Sequence, residues 1–393
     1  MRNTTVLVSG ASIAGPSLAY WLARYGFDVT VVERAPALRP GGQAVDFKGR
    51  THATVLERMG VREAVEHRRT GRTDMLFVDP KGNELACISG EFTGGDVEIL
   101  RGDLAEILYE RTSGACAYLF GDSITALTET GAGVHVEFEH ADACTFDLVF
   151  GADGVHSRVR RLAFGPEADY VEFLGYYYCL AGSTTNNGGT PERAVAHAFS
   201  APGRLAVDGG SKAPQMYMFA SPELDYARDD IAAQRRIVAA TFAGVAGPVP
   251  RMLAELPGLD DFYMDSLSRV TMKDGYTRGR VALVGDAAYG NTLGGFGTGL
   301  AVVGAYVLAG ELAAAAGDHI VAFARYDEIM RRYAKDAGKT TPGRFLAPKT
   351  ALGIRARNWF LGSRLFAVMT KMGDKMSNDI DLKDYEADLS VAE

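Results

Sequence analysis

The stretch VLVSGASIAGPSLAYWLARYGFDVTVVE (residues 6–33) reads as an apolar run, a glycine turn, a helix and a second apolar run closed by a carboxylate. That order predicts a strand–turn–helix–strand unit. Gly10 suits the tight turn off the first strand, and Gly15 lets the helix lie close on the sheet. Ser12, Ile13 and Ala14 open the helix, whose free N–H groups form a site for a pyrophosphate. Glu33 stands about twenty residues on, where a carboxylate accepts hydrogen bonds from a ribose, and Arg34 follows it. Leu18, Leu22 and Tyr25 recur at i, i+4 and i+7, so one helix face buries against the sheet. Ser12 occupies the middle glycine position of the usual G-x-G-x-x-G pattern. The plain alternative is a βαβ unit without a ligand.

At 393 residues the chain suggests two or three modules, and 47% apolar with 23% charged residues is a soluble globular balance. A net charge of −8 disfavours nucleic acid, whose phosphates need a dense basic patch. The short clusters RVRR (158–161) and MRR (330–332) read as helix-surface charges or a local phosphate contact. Cys87, Cys116, Cys144 and Cys179 are widely spaced without a C-x-x-C, so neither a metal site nor a disulfide framework is indicated. Reduced thiols and the lack of an export signal predict a cytoplasmic protein with no membrane segment. The apolar run at 299–317 is expected as a buried helix.

Residues 34–42 form a proline- and glycine-rich loop, and a helix is expected over 51–59. Lys48 and Arg50, just before it, are cations that face a cofactor, a substrate or solvent. A hairpin is predicted over 73–89 about Asp79-Pro80-Lys81-Gly82. A helix follows from Arg101 through Tyr109, and short strands over 118–150 end at Asp153-Gly154. Residues 171–269, rich in aromatic strands and interrupted by a helix at 229–243, look like a second domain. Its aromatic residues build either core or the floor of a pocket for a flat apolar ligand. The strand RVALV (280–284) ends in Gly285-Asp286 and leads to a glycine-rich loop with Gly295, Gly297 and Thr298 before the apolar helix. There a helix N-terminus meets a strand end, which stabilises negative charge. Helical spacing continues over 345–376, and the acidic tail after Ser377 is expected to be loose.

Three blocks thus stand in one order: the glycine turn with Glu33, GADGVHSRVRR (151–161) and GRVALVGDAAY (279–289). Together they resemble the flavoprotein monooxygenases of the para-hydroxybenzoate hydroxylase type, and are similar to members that act on aromatic polyketides or antibiotics. The resemblance covers most of residues 1–330. It implies an α/β fold: a Rossmann-like, discontinuous FAD-binding domain (1–70, 100–170, 270–344), an inserted β-sheet substrate domain (71–99, 171–269) and a C-terminal helix with its tail (345–393). FAD is the implied cofactor, with the N-terminal turn on its pyrophosphate and Glu33 on its ribose. Arg101 matches the family arginine that reaches the cofactor, and Asp286 the aspartate of the ribityl and phosphate region. Asp153-Gly154 matches the Asp-Gly motif tied to FAD and NAD(P)H, and Gly295-Phe296-Gly297 the turn at the flavin pyrimidine edge.

The implied reaction takes NAD(P)H as co-substrate, adds O₂ at the flavin C4a and passes oxygen from the hydroperoxide to an aromatic or polycyclic small molecule. No protein nucleophile is required, and no catalytic side chain is singled out. The resemblance implies a monomer or weak homodimer. The sequence departs from the family where Tyr289 is followed by Gly290-Asn291-Thr292-Leu293-Gly294, without the usual proline. A second reading therefore keeps FAD but uses it structurally, or for dehydrogenation or ring formation. A flavin halogenase expects a paired-tryptophan motif, and the tryptophans here are Trp21 and Trp359.

Overall fold

The computed structural model describes residues 2–90, 95–182, 194–209, 215–294, 297–335, 341–363, 365–366 and 379–386. The opening stretch becomes β1 (Thr5–Ser9), the helix Ala14–Arg24 and β2 (Asp28–Glu33). There follow β3 (Ala44–Phe47), β4 (Thr73–Val78), β5 (Glu84–Ile88), β6 (Val97–Leu100), β7 (Ala117–Phe120), β8 (Ile124–Thr130), β9 (Gly133–Phe138), β10 (Cys144–Phe146) and β11 (Leu148–Gly151). The second half adds β12 (Val171–Ala181), β13 (Ala194–Ala201), β14 (Arg204–Asp208), β15 (Gln215–Ala220), β16 (Phe262–Val270), β17 (Thr277–Arg278) and β18 (Val281–Leu283). The helices expected at 51–59, 101–109, 229–243 and 299–317 form as Gly49–Arg58, Arg101–Thr112, Ile231–Phe242 and Gly297–Ala314.

The nucleotide-side sheet has six strands in the order β17-β18-β11-β1-β2-β7, all parallel except β17. Its central strands β1, β11 and β18 are buried on both faces, which is why they read as unbroken apolar runs. Ser9 pairs with Val32 and Gly151, and Gly151 with Leu283. Gly10, Glu33, Asp153 and Asp286 therefore all leave the same carboxyl edge of this sheet, where open α/β folds bind ligands.

A seven-stranded sheet, β16-β12-β15-β14-β13-β4-β5, makes the second layer. The alternation of a strand sorts its tyrosines: Tyr177 packs with Phe219, Phe242 and Met252 on the helix-covered back, while Tyr176 and Tyr178 join Phe77, Met218 and Leu267 on the front. The helices Pro342–Leu346 and Ala351–Leu361 border that front face through Ala347 and Leu361. Strand β6 pairs with β3 and stays outside this sheet.

Gly297–Ala314 is apolar and long enough to cross a membrane, but 83% of it is buried inside the protein, as expected of a core helix. Within the tail, residues 379–386 differ from expectation, and its remaining residues lie outside the described ones. Asp379 accepts from Thr51 N–H at 2.9 Å at the start of the helix Gly49–Arg58. Arg58 holds Asp384 at 3.2 Å, and Tyr385, 1% exposed, donates to Glu311 at 2.8 Å. Its acidic composition reads as solvated, but each of these groups meets a distant partner, so residues 379–386 form a strap.

Candidate active site

Gly10 adopts φ +105°, and a Cβ there would lie 2.6 Å from the carbonyl oxygen of Ala152. At Gly15 a Cβ would stand 1.8 Å from the oxygen of Gly10, so only glycine lets the helix start this close to the turn. That helix begins at Ile13 and Ala14 with no side-chain cap, which leaves its first N–H groups directed at the cleft. Glu33 accepts from Ala11 N–H and Ala35 N–H, each at 2.8 Å, one on each oxygen. Each oxygen keeps a lone pair for a further donor. Arg34 is exposed on the rim beside it.

Arg101 opens the helix Arg101–Thr112, and its Nε donates to Ser12 Oγ at 3.0 Å. The hydroxyl in the glycine position thus anchors the arginine next to the uncapped helix. Gly285 sits where β18, the first helix and the apolar helix converge: a Cβ would touch Ala14 at 2.8 Å and Ala301 at 3.3 Å. Asp286 follows, open to solvent yet so ringed by protein that burial pushes its carboxyl upward against the opposing charge of Arg101. A carboxylate at the foot of a cleft has this environment. Gly297, where the apolar helix starts, lies against Asp286 Oδ1, and Thr298 is half-buried in the first turn. Gly295 and Phe296 lie outside the described residues.

The family proline is absent, but the loop is tied down another way. Val270 N–H donates to Gly290 O at 2.7 Å and Thr292 N–H to Ser268 O at 3.0 Å, which joins the loop to β16 of the second sheet. Asp153 turns its carboxylate to the helix Arg158–Ala163, accepting from Arg158 N–H at 2.7 Å and Val159 N–H at 3.1 Å. Its backbone, not its side chain, abuts the Gly10 turn. Lys48 gives its backbone N–H to His52 Nδ1 at 3.0 Å. His52 Nε2 therefore carries the proton facing Tyr333 Oη at 3.1 Å, and burial lowers its pKa to about 4.

Residues 3–169 match the FAD binding domain family. An uncharacterised protein of Mycobacterium tuberculosis is 42% identical over 339 residues, 82% of this chain and 88% of that protein. A flavin-dependent monooxygenase from an unknown prokaryotic organism is 39% identical over 354 residues, 84% of this chain and 86% of that one. The chain belongs to the flavin-dependent monooxygenases. A solved tetracycline destructase, Tet(51), has 33% identity and a TM-score of 0.79, covering 98% of this chain and 100% of that one. As a flavin-dependent monooxygenase the protein takes FAD, and the site suits it. The uncapped helix with Arg101 would suit a pyrophosphate, Glu33 has acceptors free for ribose hydroxyls, and the N-terminus of Gly297–Ala314 lies beside Asp286, where it would offset negative charge on a bound cofactor.

Sequence reading missed several buried or paired residues near these elements. Arg160, placed with the surface charges, is fully buried and donates to Ala287 O at 2.8 Å, bracing the segment after Asp286 from behind. His156 sits between two carboxylates, Glu167 at 2.8 Å and Asp265 at 3.2 Å. Asp265 accepts from Tyr263 Oη at 2.9 Å. The one available signal was the alternation YMDS within β16, which puts Tyr263 and Asp265 on one face.

Proposed function

We propose that the enzyme uses NAD(P)H and O₂ to place one oxygen atom on an aromatic or polycyclic small molecule lying against the front of the seven-stranded sheet, as in antibiotic modification. The observation that carries this is the pair of backbone hydrogen bonds, Val270 N–H to Gly290 O and Thr292 N–H to Ser268 O, that sets the segment after Asp286 against β16, so the candidate cofactor residues and the aromatic sheet border one cleft. A relative named for destroying tetracycline, a polycyclic antibiotic, supports the substrate class.

Bound FAD supplies the redox chemistry that joins NAD(P)H to O₂. The chain's own residues position and shield. Arg101 and the two helix N-termini offset negative charge in the cleft. The ladder between residues 290–292 and β16 holds the aromatic sheet against the cofactor side, and the buried Tyr176, Tyr178 and Leu267 form the dry apolar layer that supports it.

The test is to mix holoenzyme with NADPH, O₂ and a panel of aromatic polyketides and tetracyclines. Substrate-stimulated NADPH oxidation with a product one oxygen heavier, labelled from isotopic O₂, is the expected result. A dehydrogenated or cyclised product without the label would refute oxygen insertion. Asp286→Ala is expected to lose FAD on gel filtration, and full flavin occupancy would refute its assignment.

A further inference from the structure

A chain of hydrogen bonds runs from the front of the seven-stranded sheet to the surface. Tyr263 Oη donates to Asp265 Oδ2 at 2.9 Å. Asp265 Oδ1 accepts from Ser266 N–H at 2.7 Å and faces His156 Nε2 at 3.2 Å. His156 Nδ1 meets Glu167 Oε1 at 2.8 Å, and Arg161 holds the other oxygen of Glu167 at 2.7 Å. With a carboxylate on each ring nitrogen, His156 carries both protons. Its pKa is raised although burial opposes it, and the bonds it makes keep Asp265 ionised, below the usual carboxylate range.

Tyr178 lies behind Tyr263 with ring centroids 5.7 Å apart. Its buried ring backs Tyr263, whose own hydroxyl is turned to Asp265. The proton count follows. The Tyr263 hydroxyl owns one proton, and Asp265 takes it. None is left for the cleft, while Tyr263, only half-buried, still has a lone pair.

We propose that Tyr263, backed by Tyr178 and fixed in this sense by Asp265 and His156, is an acceptor-only handle that selects substrates offering a hydroxyl or N–H over those offering only an ether or carbonyl oxygen. This rests on the reading of the front face as an aromatic-substrate pocket. It also makes Asp265 the residue that sets the polarity of the handle. In Asp265→Asn the side-chain oxygen stays with the donors His156 Nε2 and Ser266 N–H, so the new NH₂ replaces the oxygen facing Tyr263. An N–H then faces Tyr263 from that side, the tyrosine proton loses its acceptor, and the handle presents a donor.

The experiment titrates oxidised FAD holoenzyme, without NAD(P)H, with 2-naphthol and with its methyl ether 2-methoxynaphthalene, reading the flavin absorbance change. The wild type is expected to bind the naphthol roughly 2- to 12-fold tighter, the worth of one hydrogen bond. Asp265→Asn, with unchanged circular dichroism and FAD content, is expected to lose or reverse that preference, and Tyr263→Phe to bring the ratio to about one. Equal binding of both probes by the wild type overturns the handle, as does an Asp265→Asn protein that keeps the naphthol preference. If Asp265→Asn does not fold, Tyr263→Phe decides: a retained preference overturns the proposal. A wild type that binds neither probe overturns the pocket reading, and the handle with it.

Discussion

Replacing Gly15 by alanine puts a methyl carbon 1.8 Å from the carbonyl oxygen of Gly10, where ordinary contact begins at 3.4 Å. The oxygen is backbone and the methyl is fixed directly to Cα, so neither can swing aside and the helix must retreat by about 1.6 Å from the turn. Overpacking a tight site costs about 1–3 kcal/mol, and a clash with nothing flexible to yield belongs at the top of that range. The retreat also carries the helix N–H groups beyond hydrogen-bond reach of a pyrophosphate. Each bond to a charged group contributes about 1.5–3 kcal/mol, so losing two weakens FAD binding by at least about a hundredfold. With an unfolding entropy of about 0.8 kcal/mol per kelvin for a chain of this length, the apoprotein Tm is expected to fall by about 4 °C. The assay is the flavin-to-protein absorbance ratio after gel filtration, with thermal unfolding alongside. Gly114→Ala, which meets nothing within 4 Å, is the control and should match the wild type. A Gly15→Ala protein with full flavin and an unchanged Tm would refute the close-approach argument.

Two further outcomes can be checked directly. Because His156 has its pKa raised in the fold, its stabilising effect is complete below about pH 6.5 and is lost as pH rises through the folded value. Its partner Glu167, lowered to about 2, contributes above its unfolded pKa and loses that contribution as pH falls towards 2. The Tm gap between wild type and His156→Gln is therefore expected to be widest near pH 6 and to narrow towards pH 9; a constant gap would contradict the ion-pair account. Tyr385→Phe leaves the buried Glu311 Oε1 without its 2.8 Å donor, and should lower the urea midpoint by the equivalent of about 1–3 kcal/mol. An unchanged midpoint would mean that the C-terminal strap adds nothing to stability.

What the sequence by itself determined is local. The glycine turn, the uncapped helix, the carboxylate at Glu33 and the strand ending at Gly285-Asp286 each lie within a short stretch whose turn chemistry and apolar period specify its geometry. They were legible for that reason, and they place the candidate cofactor residues on one sheet edge. Other features depend on partners far along the chain. Arg160 reads as one of three arginines in a short basic cluster until the fold buries it against Ala287, 127 positions away. His156 meets Asp265 across 109 positions, and the acidic tail finds Thr51 across 328. The loop that lacks a proline is held by β16, a strand from the other sheet. Tertiary structure alone decided these. Whether a charge is solvated or buried and paired depends on what the packing of two sheets brings opposite it, and no local period encodes that.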